Sequence, residues 1–282
     1  KALGTAQRSE IVRSAAKGLD SKDPLTLLKL AKVILRATKG GANLLAVSKL
    51  LFRLSKASSN DALFLSEGLL PAILAALGPA RVEAVRALLA RGGEGAEAEL
   101  EAAQLLAAAL KNVSADSESC RDALAGAGAV RLLSQWLEAS ATLSSPGDRG
   151  SGSGSGGRVR GATCALLAQA AAALRNLASS AGARGDLERH GAARLLLDVA
   201  AQWPGEAELQ LNAARALAQL SLLPACRDEL AAQPELADTA LALLRRHRAD
   251  APLVVRWLFV LGSVTALSED TRVAVAATPG AL

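Results

Sequence analysis

Aromatic side chains are nearly missing from this chain of 282 residues: they make up 2% of it, and Tyr does not occur. Methionine is absent as well. Single-stranded nucleic acids are held largely by bases stacking on aromatic rings, so this composition argues against a nucleic-acid ligand. Because 51% of the residues are nonetheless hydrophobic, the core must be built mainly from Ala and Leu, which have high helix propensity.

Histidine and cysteine are also rare. His190 and His247 have no hydrolase motif such as G-x-S-x-G beside them. Cys120, Cys164 and Cys226 are odd in number and widely spaced, which predicts a reducing compartment and offers no paired spacing for a metal. We therefore expect a protein that is not an enzyme, with no catalytic residues, no metal and no cofactor.

Long apolar runs are lacking too. The longest, residues 162–174, is interrupted by Gln169 and falls short of the roughly twenty residues that span a bilayer, so we expect no membrane segment. The chain does not begin with Met, and it stops soon after a pattern that starts a repeat. We expect it to be a piece of a longer protein.

A helix-ending signature recurs five times, as Leu-Phe-Arg-Leu-Ser, Leu-Lys-Asn-Val-Ser, Leu-Arg-Asn-Leu-Ala, Leu-Ala-Gln-Leu-Ser and Leu-Gly-Ser-Val-Thr. Its central residues, which we call anchors, are Arg53, Asn112, Asn176, Gln219 and Ser263. They are separated by 59, 64, 43 and 44 residues. The last two spacings match the period of roughly 40–47 residues typical of HEAT and armadillo repeats.

Each anchor is followed by a short helical pattern, a Gly or Pro break and two further helical patterns. The breaks fall at Gly68, at Gly126 and Gly128, at Gly191 and at Pro234. Three helices per repeat are typical of armadillo proteins. The sequence therefore predicts one all-α domain over residues 1–282, an armadillo-type right-handed α-solenoid of about five repeats. A helix pair opens it, with the first helix starting at Asp23-Pro24.

Two inserts explain the long spacings. Residues 79–98 include a helical pattern followed by a Gly-rich turn, which predicts a helical insert. Residues 145–160 are dominated by Gly and Ser, which predicts a flexible loop because such a composition buries little apolar surface. This run lacks the preceding strand and the GK[ST] of a phosphate-binding loop.

Charge is distributed unevenly. Residues 1–56 hold twelve Lys or Arg against three acidic residues, a net of +9, whereas the remainder has a net of −4. Lys29, Lys32 and Arg36 share one helix face. These three residues either form a solvated outer surface or attract an acidic partner. In the second case, electrostatic steering would speed association with that partner.

The third helices of armadillo repeats line a concave groove, so their exposed positions are the predicted partner site. The candidates are Lys49, Arg53, Asn112, Asn176, Arg215, Gln219, Phe259 and Ser263. We place the centre of the site at the basic end, around Lys49, Arg53 and Asn112; a convex-face site is the open alternative.

The nuclear import receptors, which are armadillo proteins, clamp extended peptides with an Asn at the anchor and a Trp one turn earlier. Asn112 and Asn176 match the Asn, but no Trp stands one turn before any anchor. We expect Trp136, Trp203 and Trp257 to be packing or repeat-edge residues, and the groove to take a helix or a folded surface.

Residues 25–77 (LTLLKLAKVILRATKGGANLLAVSKLLFRLSKASSNDALFLSEGLLPAILAAL) and 252–275 (PLVVRWLFVLGSVTALSEDTRVAV) resemble one armadillo-repeat family. Members of that family are linked to motile cilia and sperm flagella, where they serve assembly of axonemal complexes such as radial spokes. The resemblance implies an adapter between radial spoke subunits and the intraflagellar transport machinery, located in the cytoplasm and the axoneme. The alternative is a general armadillo scaffold of cytoplasm or nucleus, catenin-like or transport-receptor-like.

Overall fold

The computed structural model describes residues 4–18, 20–91, 93–143 and 155–278, and within these ranges the chain is helical with no strand. The α-helices are α1 (Thr5–Ala16), α2 (Pro24–Ala37), α3 (Gly41–Leu54), α4 (Asp61–Ser66), α5 (Leu69–Leu77), α6 (Pro79–Ala90), α7 (Ala96–Val113), α8 (Glu118–Gly126), α9 (Ala129–Leu143), α10 (Ser155–Leu177), α11 (Arg184–Arg189), α12 (Ala192–Gln202), α13 (Ala207–Leu220), α14 (Pro224–Ala231), α15 (Leu236–Arg246), α16 (Ala251–Thr265) and α17 (Glu269–Ala277). Short 3-10 helices, Ser58–Asn60 and Ala181–Ala183, precede α4 and α11. The all-α prediction is confirmed.

The helices recur in the order predicted from the anchors. A short helix, a second helix and a long anchor helix make up α8 to α10, α11 to α13 and α14 to α16. The preceding set is α4, α5 and α7, with α6 inserted, and α2 with α3 is the opening pair. The Asp23 carboxylate caps α2 by accepting a hydrogen bond from the backbone N–H of Thr26 at 2.9 Å. The chain is an armadillo-type α-solenoid, and its right-handed sense stays a prediction.

Glycine makes the chain reversals between the first and second helices of a repeat. Gly68 and Gly191 immediately precede α5 and α12 with φ of 63° and 60°, a left-handed conformation in which a Cβ atom is unfavourable. The turn before α15 contains Pro234 instead. The breaks expected from the sequence therefore fall where the chain turns.

The predicted helical insert at 79–98 contains α6, and α7 starts at Ala96, so the last residues of that range belong to the anchor helix. The insert is tied to the solenoid by an ion pair between the side chains of Arg81 and Glu99, both buried. The Glu99 carboxylate also accepts a hydrogen bond from the backbone N–H of Gly41 at 2.6 Å. Three elements, α3, α6 and α7, thus meet at one carboxylate.

The C-terminal boundary of the predicted loop at 145–160 is wrong. Residues 144–154 lie outside the described part of the chain, but α10 already begins at Ser155. Val159 is buried, and the Arg160 guanidinium lies over the Trp203 ring at 4.2 Å from its centroid. The composition did not indicate that the helix begins this early, because only a few side chains among the glycines hold its first turns in place.

One apolar cluster runs through the solenoid from Ala15 to Val264 and consists mainly of Leu and Ala. All three tryptophans, Trp136, Trp203 and Trp257, are buried in it. The indole N–H of Trp136 donates to the backbone oxygen of Leu77 at 3.0 Å. The prediction that the tryptophans are packing residues is confirmed.

Candidate partner-binding face

The five helices that carry the anchors pack on one another in series. Helix α3 contacts α7, α7 contacts α10, α10 contacts α13, and α13 contacts α16. We call the surface that they present around residues 53, 112, 176, 219 and 263 the anchor-helix face. It arises because each repeat buries the apolar sides of its long helix against the long helices before and after it.

At its N-terminal end this face carries Lys49 and Arg53, both exposed as expected for groove residues. The Lys49 ammonium lies 3.0 Å from a carboxylate oxygen of Glu101 on α7. Exposed pairs of this kind contribute at most about 1 kcal/mol, yet the acid still weakens the positive potential of Lys49. The predicted centre of the site at this basic end stays a prediction.

The two asparagine anchors join successive repeats. The side-chain amide of Asn112 donates to the hydroxyl of Ser55 at 3.0 Å. That of Asn176 donates to the backbone oxygen of Lys111 at 2.9 Å and to the hydroxyl of Ser114 at 3.2 Å.

Asn176 is also 9% exposed, so it does not reach into a groove. Its assignment as a partner contact is corrected: the amide group is used between helices α7 and α10.

Asn176 has a second effect, on its neighbour Arg175. The Asn176 side-chain oxygen accepts hydrogen bonds from Nε and Nη2 of Arg175 at 3.2 and 2.9 Å. Because Asn176 is itself fixed by the preceding repeat, the guanidinium of Arg175 is held in place. This role of Asn176 was not predicted from the sequence.

The C-terminal end of the anchor-helix face contains an open groove with a volume of about 420 Å³. We call it the arginine groove; it is lined mainly by Arg175, Arg215, Gln219, Leu222, Arg256 and Phe259. Three predicted candidates, Arg215, Gln219 and Phe259, meet here.

Arg175, Arg256 and Leu222 were missed by the sequence analysis. A usable signal existed, because the three arginines are 40 and 41 residues apart, which is one repeat period.

The arginines of this groove face one another. Within the described ranges, no carboxylate lies within ion-pair distance of Arg175, Arg215 or Arg256. Burial, and then the charges of Arg215 and Arg256, lower the pKa of the Arg175 guanidinium. The groove is therefore a site of uncompensated positive charge.

On the N-terminal side of this groove, basic residues are mixed with the acid Glu208. Burial lowers the pKa of Lys111 on α7, and the charges of Arg175 and Lys56 lower it further, while Glu208 opposes them. Each of these three basic residues lies on or directly after a different anchor helix. Arg175, Lys56 and the Glu208 carboxylate are therefore close enough to influence the charge of Lys111.

The eighth candidate, Ser263, lies on α16 and is half-buried. Its hydroxyl donates to the backbone oxygen of Phe259, one turn earlier, at 2.9 Å. This hydroxyl is used within its own helix, and Ser263 is not part of the arginine groove lining.

The cysteines, for which the sequence predicts no catalytic role, lie in structural positions. Cys120 and Cys226 are buried in the equivalent helices α8 and α14. Burial raises the pKa of Cys226 to about 11 and that of Cys164 to about 12, so these thiols are weak nucleophiles at neutral pH. In the part of the chain that the structure describes, no group of three or more His, Cys, Asp or Glu residues could hold a metal ion.

Among the described helices, none is by itself both long and apolar enough to cross a bilayer. Ser58–Ser66 and Leu69–Ala90 together pass the test of length and composition, but they are bent by 84°. Their large apolar side chains Phe64, Leu69 and Ile73 are fully buried in the solenoid core.

Comparison with known proteins gives consistent results. No protein-family profile matches the chain. Armadillo repeat-containing protein 2 of cattle is 30% identical to it over 267 residues, and the mouse protein of the same name is 31% identical over 268 residues. Each alignment covers 94% of this chain and 28% of the relative, so the chain spans a little over a quarter of their length.

Among solved structures, a crystal structure of an engineered protein superimposes with a TM-score of 0.45 at 20% sequence identity, covering 90% of this chain and 96% of that one. The stacked three-helix repeats and the alignments with the two mammalian proteins confirm the resemblance expected from residues 25–77 and 252–275: the chain is an armadillo-type repeat protein similar to Armadillo repeat-containing protein 2.

Proposed function

We propose that this chain is a non-enzymatic protein-binding scaffold that serves assembly or transport of radial spoke complexes in motile cilia and flagella. The observation that carries the binding role is the serial packing of α3, α7, α10, α13 and α16, which gives one continuous face over five repeats. Rows of repeats with such a face are suited to long, extended contacts with other proteins.

The ciliary part of the proposal rests on the resemblance. The family that the sequence resembles is linked to motile cilia, and the similarity extends over 94% of the chain. We accordingly place the protein in the cytoplasm and the axoneme, with radial spoke subunits and the intraflagellar transport machinery as partners. No nucleic acid and no membrane is part of this function.

The alternative is a general armadillo scaffold of the cytoplasm or nucleus. Its transport-receptor-like form is disfavoured by two observations on the anchor-helix face. The side-chain amides of Asn112 and Asn176 donate hydrogen bonds between repeats, and the three tryptophans are in the core, so the residues that could clamp an extended peptide as in import receptors are already used within the fold. A catenin-like scaffold is compatible with the same face.

Affinity purification tests the two alternatives. The tagged chain is incubated with lysates of ciliated cells and of matched cells without cilia, and bound proteins are quantified by mass spectrometry. We expect radial spoke subunits or intraflagellar transport proteins to be enriched from the ciliated lysate. Recovery of the same non-axonemal proteins from both lysates would favour the general scaffold and contradict the ciliary role.

A further inference from the structure

The arginine groove brings together three side chains that the sequence keeps far apart. Arg175, Arg215 and Arg256 come from the consecutive anchor helices α10, α13 and α16. Arginine is suited to binding anions because its planar guanidinium donates two parallel hydrogen bonds to a carboxylate or a phosphate. The three arginines share one groove, and none of them forms an ion pair with a carboxylate of the described residues.

One of these arginines is already in place before a ligand arrives. Two nitrogens of Arg175 donate to Asn176, which is fixed in turn by Lys111 and Ser114 of the preceding repeat. Such support reduces the conformational entropy that would be lost when the guanidinium binds an anion. The remaining donors of Arg175 can be used by a ligand in the groove.

Two exposed apolar side chains lie in the same groove. Phe259 is 43% exposed and Leu222 is 55% exposed, although most large hydrophobic residues of the chain are buried. Both would bury apolar surface against a hydrophobic side chain of a ligand. The groove therefore combines cations with apolar contacts, which a free inorganic anion would use only in part.

We propose that the arginine groove binds an acidic segment of a partner protein, in which carboxylates flank an aromatic or aliphatic side chain. The carboxylates pair with Arg215, Arg256 and the free edge of Arg175, and the apolar side chain packs on Phe259 and Leu222. This inference deepens the proposed scaffold function, on which it rests, by naming the site and the chemistry of the segment that it holds.

The dimensions fit a short stretch of chain. Packed helices lie about 10 Å apart, so three of them span about 20 Å. An extended chain covers that distance in about six residues, so the proposed ligand differs from the helix or folded surface expected from the sequence.

Fluorescence anisotropy with the full chain tests this site. The probe is a labelled peptide in which a central Phe is flanked by Asp and Glu, and the comparison peptide carries Asn and Gln instead. The double variant Arg215→Gln with Arg256→Gln should weaken binding of the acidic peptide at least about tenfold, since both carboxylate contacts are lost. Phe259→Ala should weaken it about fivefold through lost apolar burial.

The matched control is Arg189→Gln with Arg194→Gln, which removes the same charge from α11 and α12, outside the anchor helices. It should change the affinity by no more than about twofold, because only long-range, salt-screened attraction is reduced. Circular dichroism melting curves verify that every variant is folded.

Several outcomes would overturn the inference: no binding by the unsubstituted chain, equal weakening by the two double variants, or equal affinity for the Asn and Gln peptide. Tighter binding of a phosphoserine version of the peptide, or of an oligonucleotide, than of the carboxylate peptide would assign the groove to phosphate instead.

The peptide-binding experiment and the affinity purification can fail independently of each other. Peptide binding without axonemal partners keeps the site and rejects the ciliary function. The reverse result keeps the function and moves the contact to another face.

Discussion

The two ends of the solenoid use positive charge differently. Toward the N-terminus, three cations on different helices meet acids: Lys49 lies 3.0 Å from Glu101, Lys29 lies 3.9 Å from Glu67, and Arg81 pairs with Glu99. In the C-terminal part, Arg175, Arg215 and Arg256 meet one another. Yet the N-terminal 56 residues carry a net charge of +9 and the rest of the chain −4. Net charge by region therefore does not locate an anion-binding site; local pairing does.

Among the substitutions that test this comparison, Glu99→Ala should change the free energy of unfolding the most. It leaves Arg81 buried without a counter-charge and removes the acceptor of the Gly41 N–H, so the free energy of unfolding should fall by about 3 kcal/mol. Urea denaturation monitored by circular dichroism measures it.

The control is Glu101→Ala, which breaks the exposed pair with Lys49 and should cost less than about 1 kcal/mol. Equal losses of unfolding free energy in the two variants would show that burial does not make the Arg81–Glu99 pair more important for stability than the exposed Lys49–Glu101 pair.

A smaller effect is expected for Asn176→Ala at the junction between the two parts. The substitution removes hydrogen bonds to Lys111 and Ser114 and leaves their buried oxygens without that donor, which should cost about 2 kcal/mol of unfolding free energy. The same urea experiment applies. The partly exposed Asn112 makes one such bond, to Ser55, so Asn112→Ala should cost about 1 kcal/mol. A larger loss for Asn112 would contradict the role assigned to Asn176.

The smallest effect should come from Lys111→Met. Burial is the first cause that lowers the pKa of Lys111 in the folded state, so its charged form is less favourable there than in the unfolded chain. The folded chain thus binds fewer protons between the lowered pKa and the ordinary value of 10.5, and its stability rises with pH in that window.

At pH 7 the substitution by Met should raise the free energy of unfolding by only about 0.5 kcal/mol, because Lys111 is partly and not fully buried. Urea denaturation at pH 7 and above pH 10 measures the gain, which should shrink at the higher pH. Lys56→Met, at an exposed position, should show no gain. Destabilisation by Lys111→Met at pH 7 would mean that the charge is stabilised by Glu208 after all.

Helix boundaries were largely predictable because their signals are local. The carboxylate of Asp23 and the ring of Pro24 start α2 at the expected residue, and Gly68 and Gly191 supply conformations that other residues adopt only at a cost. The loop ending at residue 160 was misjudged because its last residues are held by distant partners. Val159 packs in the core, and Arg160 stacks on Trp203 and lies 3.2 Å from Glu206.

The candidate site was predicted in part. Choosing positions near the anchors placed Arg215, Gln219 and Phe259 in one groove, because equivalent positions on packed repeats lie side by side. The same rule assigned Asn176 to the groove, although its amide is used between repeats. The rule fixes the helix face only approximately, and a shift of one residue around a helix separates Arg175 in the groove from Asn176 between the helices.

That this chain is a row of three-helix repeats could be predicted from the sequence, since the period of the anchors, the turn residues and the Ala and Leu content are properties of short segments. Which charges are neutralised depends on the packing of the helices. Electrostatic interactions between side chains depend on distances of a few ångströms. Glu101 reaches Lys49 across 52 positions of sequence, whereas no acid reaches Arg215 within the described residues. Packing the anchor helices in series sets those distances, and it leaves the arginines facing one another.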